Sequence, residues 1–113
     1  MPTVNIFCRT EEQATEFQSF LSKLKTFIAS ELTCNDKKLS SGEISMRLIR
    51  VVGNGMIGSI EAEITAHAFP ERVRNQDAIC LAVADYIKKE LSALGEVKVW
   101  LVLCEFGHSW KED

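Results

Sequence analysis

The sequence has no basic face. Its formal net charge is −3, and its only adjacent basic pairs are Lys37-Lys38 and Lys88-Lys89. A phosphate-binding footprint needs more positive charge than that, so neither nucleic acid nor an anionic membrane is an expected partner. Long apolar runs are missing as well. Nothing approaches the ~18 consecutive apolar residues of a membrane span, and the N-terminus lacks the basic-then-apolar order of a signal peptide. A cytoplasmic location is therefore expected. Cysteines at paired spacing are absent too: Cys8, Cys34, Cys80 and Cys104 contain no C-x-x-C. Three of them sit inside apolar periodic segments, the pattern of reduced thiols acting as small core hydrophobes. A metal site would have to recruit His67 and His108, and no two of these residues stand at ligand spacing, so no metal is expected.

What is present describes a folded α/β domain. Apolar residues make up 46% and charged residues 26% of the chain, which excludes disorder, and 113 residues suit one domain spanning 1–113. Thr3 to Cys8 alternates as a strand. Thr10 and Gln13 form a capping-box pair ahead of Ala14, Phe17, Leu21, Leu24, Ile28 and Leu32, a spacing that predicts one long helix ending near Leu32. After a polar loop, period two returns over Glu43 to Val52, with Ile44, Met46 and Leu48 on one face and Ser45, Arg47 and Ile49 on the other. The second half repeats this order. Ser59 to Ala68 alternates, Pro70 opens a helix whose stripe runs from Ile79 to Leu94, Gly95 is its expected stop, and Val97 to Phe106 is the last strand. Two consecutive βαβ units result, over about residues 2–52 and 59–106, building a four-stranded mixed sheet with two helices on one face.

Two helices cover only one face of such a sheet. On the last strand Val97, Val99, Leu101 and Leu103 can face the helices, leaving Trp100, Val102, Cys104 and Phe106 pointing away. An apolar second face implies a neighbouring subunit.

Two motifs call for chemistry. Gly53 to Gly58 matches G-x-G-x-x-G, but period-two sequence follows it, so no helix N-terminus would meet a pyrophosphate. It reads as a glycine-rich connection between the halves, with no nucleotide cofactor. Pro2 follows the initiator methionine, whose removal before a small residue would leave proline as the first residue. It opens a strand at once, and a terminus held in a sheet is fixed in space as a catalytic group must be. A free α-amino group titrates near ~7.7–8.0 in short peptides, and a prolyl amine is more basic. Burial and nearby cations lower that value, and a neutral amine near pH 7 can take a proton from carbon and return it elsewhere.

Met1-Pro2 leading into a strand, two βαβ units and this chain length together resemble the tautomerase superfamily, in particular the migration inhibitory factor and carboxymethyl-hydroxymuconate isomerase branches. The resemblance covers nearly the whole chain. It implies a homotrimer with active sites between subunits, no cofactor, and Pro2 as general base in keto–enol or double-bond isomerisation of a 2-oxo acid. It also implies that Arg72, with Arg74 as its competitor, binds the carboxylate of a small-molecule substrate, a role for which the planar guanidinium fork is suited. Arg72 otherwise reads as a solvated arginine in a helix's first turn, slightly misplaced beside the positive dipole end. Arg47 lies two residues past the isomerase's substrate-facing position, which Ser45 occupies. Lys38 either matches a lysine that precedes the second strand in the inhibitory-factor branch or reads as a solvated loop lysine, and Trp100 falls where that branch has a tyrosine, or simply packs an interface. A hydratase or dehalogenase on this framework would add an acid to activate water, for which Glu105 is the candidate. The remaining alternative is a non-catalytic ferredoxin-like ligand-binding module, distinguished by a strand inserted between the first two.

Overall fold

A computed structural model describes residues 2–34, 38–53, 55, 59–91 and 95–105. The first half contains β1 (Thr3–Cys8), α1 (Glu11–Gln18), α2 (Leu21–Leu32) and β2 (Ser45–Arg50). The second contains β3 (Ile60–His67), α3 (Pro70–Arg74), α4 (Gln76–Glu90) and β4 (Val97–Cys104). The four strands form one sheet in the order β2-β1-β3-β4. β1 pairs directly and in parallel with β2, β3 pairs in parallel with β4, and β1 meets β3 antiparallel at the centre. No strand separates β1 from β2, which rules out the ferredoxin-like order. The two βαβ units stand back to back. Each buries its crossover helices on the same side, because a right-handed crossover in an antiparallel pair of such units places both there.

The helices differ from the sequence reading at two points. The single helix expected up to Leu32 is broken at Ser19 and Phe20, between α1 and α2. Ser19 Oγ donates to Glu16 O at 3.0 Å, the side-chain competition for a helical carbonyl that favours a break. The break lets Phe17 and Phe20 both turn inward, and their rings meet edge to face with centroids 5.7 Å apart. The Thr10–Gln13 capping box forms as expected, with Gln13 N donating to Thr10 Oγ1 at 3.2 Å and Thr10 N to Gln13 Oε1 at 3.1 Å. The second helix is interrupted at Asn75, which divides it into the short α3 and the long α4. Gly95 does not stop it, since α4 ends at Glu90. Gly95 instead takes φ +83° in the approach to β4, where a Cβ would lie 3.1 Å from Ser59 Oγ. Gly53 likewise has φ +101°, and the chain beyond it becomes β3, so no helix opens after the glycine run.

Alternation assigns the sheet faces. Val4, Ile6 and Cys8 of β1 and Ile60, Ala62, Ile64 and Ala66 of β3 are fully buried under the helices, against Leu24, Ile28, Val83 and Ile87. Each large aliphatic side chain so buried contributes about 1.5–3 kcal/mol. On β4, Leu101 is buried and Val97, Val99 and Leu103 pack on the core, while Trp100 and Val102 are 43% and 46% exposed on the open face. Phe106 lies outside the described residues. The open face is apolar along β4 and at the Phe7–Ile49 pair of β1 and β2, and polar or charged elsewhere. Across the sheet, Trp100 stands beside Glu63, Asn5 and Arg47, and Lys98 beside Glu61 and Phe7.

The four cysteines are free. Burial raises the thiol pKa of both Cys8 and Cys80; Arg50 partly opposes this at Cys8, and a hydrogen bond to the Leu101 backbone opposes it at Cys80. Both are therefore less ionised at neutral pH than an ordinary thiol. Iodoacetamide mapping on the native protein at pH 7.5 should label them far more slowly than after unfolding. Labelling at the unfolded rate would mean that these segments open readily. No helix among the described residues is long and apolar enough to cross a membrane.

Candidate active site

Pro2 immediately precedes β1 and is buried. Its carbonyl accepts the Ser45 N–H at 3.1 Å, the first link between β1 and β2, so the residue is anchored by main-chain bonding. It has the same parity as Val4 and Ile6 and falls on the helix-covered side of the sheet. A cavity of about 230 Å³ opens there, at the end of the sheet where β1 begins and β3 finishes. Pro2, Lys38, Glu43, His67, Phe69 and Arg72 line it, with Cys34 and Leu39 completing the wall.

Arg72 is only 6% exposed, so it is not the solvated arginine of a helix's first turn. The interruption at Asn75 also removes the dipole misplacement, because Arg72 now lies in the last turn of the five-residue α3. Its Nε donates to Leu32 O at 2.9 Å and its Nη1 to His67 O at 3.1 Å. The guanidinium carbon sits 4.9 Å from the centroid of the Phe69 ring, whose edge also meets His67. Two donors are therefore engaged by main-chain carbonyls, one at the end of α2 and one at the end of β3. Arg72 ties these two ends together at the cavity wall and holds a buried positive charge there.

Lys38 is exposed and lines the same cavity. Among the described residues its ammonium has no ion-pair partner, which leaves it available to an anion.

Five of the lining residues were not placed there by sequence reasoning, and three of these, Glu43, His67 and Cys34, carry ionisable groups. Glu43 belongs to a 3-10 turn (Ser41–Glu43) before β2, not to the strand. Its Oε1 accepts from Ser40 N at 3.3 Å and Ser40 Oγ at 3.1 Å, which fixes the carboxylate. The Ser40-x-x-Glu43 spacing is a capping box legible in the sequence. His67 ends β3 with the parity of the open face, and reaches the cavity because the sheet stops there. Cys34 follows α2 and had no local signal at all.

The other expected site residues lie elsewhere in the chain. Arg47 is exposed on the open sheet face, where its Nη1 donates to Asn5 Oδ1 at 3.3 Å. Arg74 is exposed at the end of α3, two residues past the buried Arg72. Trp100 is on the open face of β4, and Glu105 is exposed just beyond that strand. None of the four lines the Pro2 cavity. Among the described residues no group of three His, Cys, Asp or Glu side chains could hold a metal ion.

The sheet of two paired βαβ units is a fold shared with solved structures. The chain superposes on a macrophage migration inhibitory factor-like protein from Entamoeba histolytica with a TM-score of 0.61, at 15% identity, over 99% of this chain and 95% of that one. A 5-carboxymethyl-2-hydroxymuconate isomerase from Deinococcus radiodurans gives a TM-score of 0.58 at 16% identity, covering 99% and 89% of the two chains. A protein of unknown function from Vibrio cholerae gives 0.64 at 16% identity, over 92% and 78%. No protein-family model and no curated protein sequence matches the chain.

Proposed function

We propose that this protein is a cofactor-independent tautomerase that isomerises a 2-oxo acid through its enol, with Pro2 as general base. The observation that carries this reading is the meeting of the buried, strand-anchored Pro2 with Lys38, a cation that has no ion-pair partner among the described residues, in one small cavity. With Met1 removed, the Pro2 nitrogen is a secondary amine. It takes a proton from the carbon beside the substrate's carbonyl: the C–H bond breaks, an N–H bond forms, and the electron pair moves onto the carbonyl oxygen as an enolate. The prolinium then returns the proton to oxygen or to a further carbon of the conjugated chain. Lys38 binds the substrate carboxylate, and the buried charge of Arg72 adds to the field that steadies the enolate. Burial and both cations disfavour protonated Pro2, so the neutral base persists to lower pH. The isomerase named among the structural relatives fits this class of reaction.

Ketonisation of phenylenolpyruvate and isomerisation of 2-hydroxymuconate test the proposal directly; no turnover of either, or of any enolisable 2-oxo acid, would overturn it. Lys38→Ala should raise KM for a carboxylate substrate about tenfold, as expected for one lost charge-assisted contact. It should also move the rise of kcat/KM to higher pH, since a neighbouring cation that favoured neutral Pro2 is gone. An unchanged KM and pH profile would remove Lys38 from the site.

The active assembly in this reading is a homotrimer. The exposed Trp100 and Val102 along the edge strand β4 supply an apolar strip for a neighbouring copy. Light scattering on untagged protein should give about three times the 12.7 kDa chain mass. A monomer at micromolar concentration would contradict it.

One observation favours a second reaction on the same framework. Water addition needs a carboxylate to activate water, and Glu43 stands in the cavity where Glu105 does not. Glu43→Gln would abolish hydration of a conjugated acid and spare tautomerisation if that reading held.

A further inference from the structure

The cavity that holds Pro2 is small. Its volume of about 230 Å³ falls below the ~300–1,000 Å³ usual for small-molecule sites. Directly beside it lies a second cavity of about 450 Å³, over the C-terminal half of α2, and the two share Lys38 and Leu39 as a common wall. The second cavity is lined by Thr26, Ala29, Ser30, Thr33, Ser40 and Ser41. Its composition suggests a polar site, but most of those hydroxyl protons are already in use. Thr26 Oγ1 donates to Ser22 O at 3.2 Å, Thr33 Oγ1 to Ala29 O at 2.8 Å, and Ser40 Oγ to Glu43 Oε1 at 3.1 Å. Thr33 Oγ1 also accepts Leu39 N at 3.1 Å, which pins the dividing segment to α2. With those donors engaged, the wall offers a ligand chiefly carbon from Ala29, Leu39 and the threonines. Such a wall matches an apolar chain better than a polyhydroxylated one.

We infer that the 450 Å³ cavity is a specificity subsite for the tail of the substrate: the natural substrate is a 2-oxo acid with an apolar chain that passes Leu39 into this space while Lys38 holds its carboxylate at the boundary. The inference rests on the tautomerase reading for its head group and goes beyond it by naming the tail and where it binds.

The test compares unbranched 2-oxo acids from 2-oxobutanoate to 2-oxooctanoate, following deuterium uptake at C3 in D₂O by proton NMR on the untagged protein. Each turnover breaks one C3–H bond and returns deuterium from the exchanged amine, so the readout is balanced and needs no co-reactant. In the wild type, kcat/KM should rise at least about tenfold from the shortest to the longest acid, since each added methylene leaves water. Ser30→Phe and Ser41→Phe, which obstruct the cavity from two sides at exposed positions, should each bring that ratio close to one with circular dichroism unchanged. A flat wild-type series, or a ratio that survives both substitutions, overturns the subsite. If no acid exchanges at all, the tautomerase reading fails instead, and the subsite is judged by binding. Amide shifts at Ala29, Thr33 and Ser41 on titration with 2-oxooctanoate, absent with 2-oxobutanoate, would sustain it. No such shifts would end it.

Discussion

Any residue left in front of Pro2 is expected to reduce tautomerisation by roughly 10²–10⁴-fold, the contribution of a positioned general base. The reason is the chemistry of one nitrogen. In a peptide bond its lone pair is delocalised into the carbonyl, and it accepts no proton near neutral pH. Freed, it is a basic secondary amine, held in place by the Ser45 N–H bond to its own carbonyl. Intact mass of untagged protein should therefore show Met1 absent, whereas an N-terminal tag or retained methionine should give a folded, inactive chain. Pro2→Ala should cost less than blocking, because a primary amine is still a base, though on a looser terminus. The sign of the pH dependence follows: only the neutral amine accepts a proton, so kcat/KM rises with pH through the Pro2 pKa and then levels. Equal activity in the free and blocked forms would reduce Pro2 to the residue that opens a strand.

Arg72→Ala should destabilise the fold by at least about 3 kcal/mol, because each hydrogen bond from a charged donor is worth ~1.5–3 kcal/mol and two carbonyls, Leu32 O and His67 O, lose theirs. Its cation–π contact with Phe69 is lost as well. Against a total stability of ~5–15 kcal/mol this is a large fraction, visible as a lower urea midpoint with an unchanged slope. Arg72→Lys should recover only part of it, since an ammonium lacks the planar fork that reaches both carbonyls. A substrate-only arginine behaves oppositely: KM rises and stability stays at the wild-type value. The two measurements together separate the tie between α2 and β3 from the carboxylate-binding role that the resemblance implies for Arg72.

Much of the architecture was legible before any coordinates. Strand alternation, the Thr10–Gln13 cap and the two helical stripes are local, repeating patterns, and each survives in the fold nearly where its spacing put it. The helix breaks were not legible. Uninterrupted apolar spacing runs through Ser19 and Asn75 alike, and the bond from Ser19 Oγ to the Glu16 carbonyl that accompanies the first break is seen only in the fold. Part of the candidate site was accessible through Met1-Pro2, the loop cation Lys38 and the Ser40–Glu43 spacing. Arg47, Arg74, Trp100 and Glu105 were expected near it and lie away from it within the chain, because a strand or helix pattern states a residue's face but not which end of the sheet a cavity will open at.

The sequence by itself determined the order of strands and helical stripes, the buried face of every strand and the place of a proline directly after the first methionine. Tertiary structure alone decided that β1 pairs with β2 and β3, and so brought Pro2, Lys38, Cys34, His67 and Arg72 to one cavity from three separate stretches of chain. Periodicity reports how each segment meets its own neighbours, whereas a cavity is set by where non-local strand pairing and helix ends leave space.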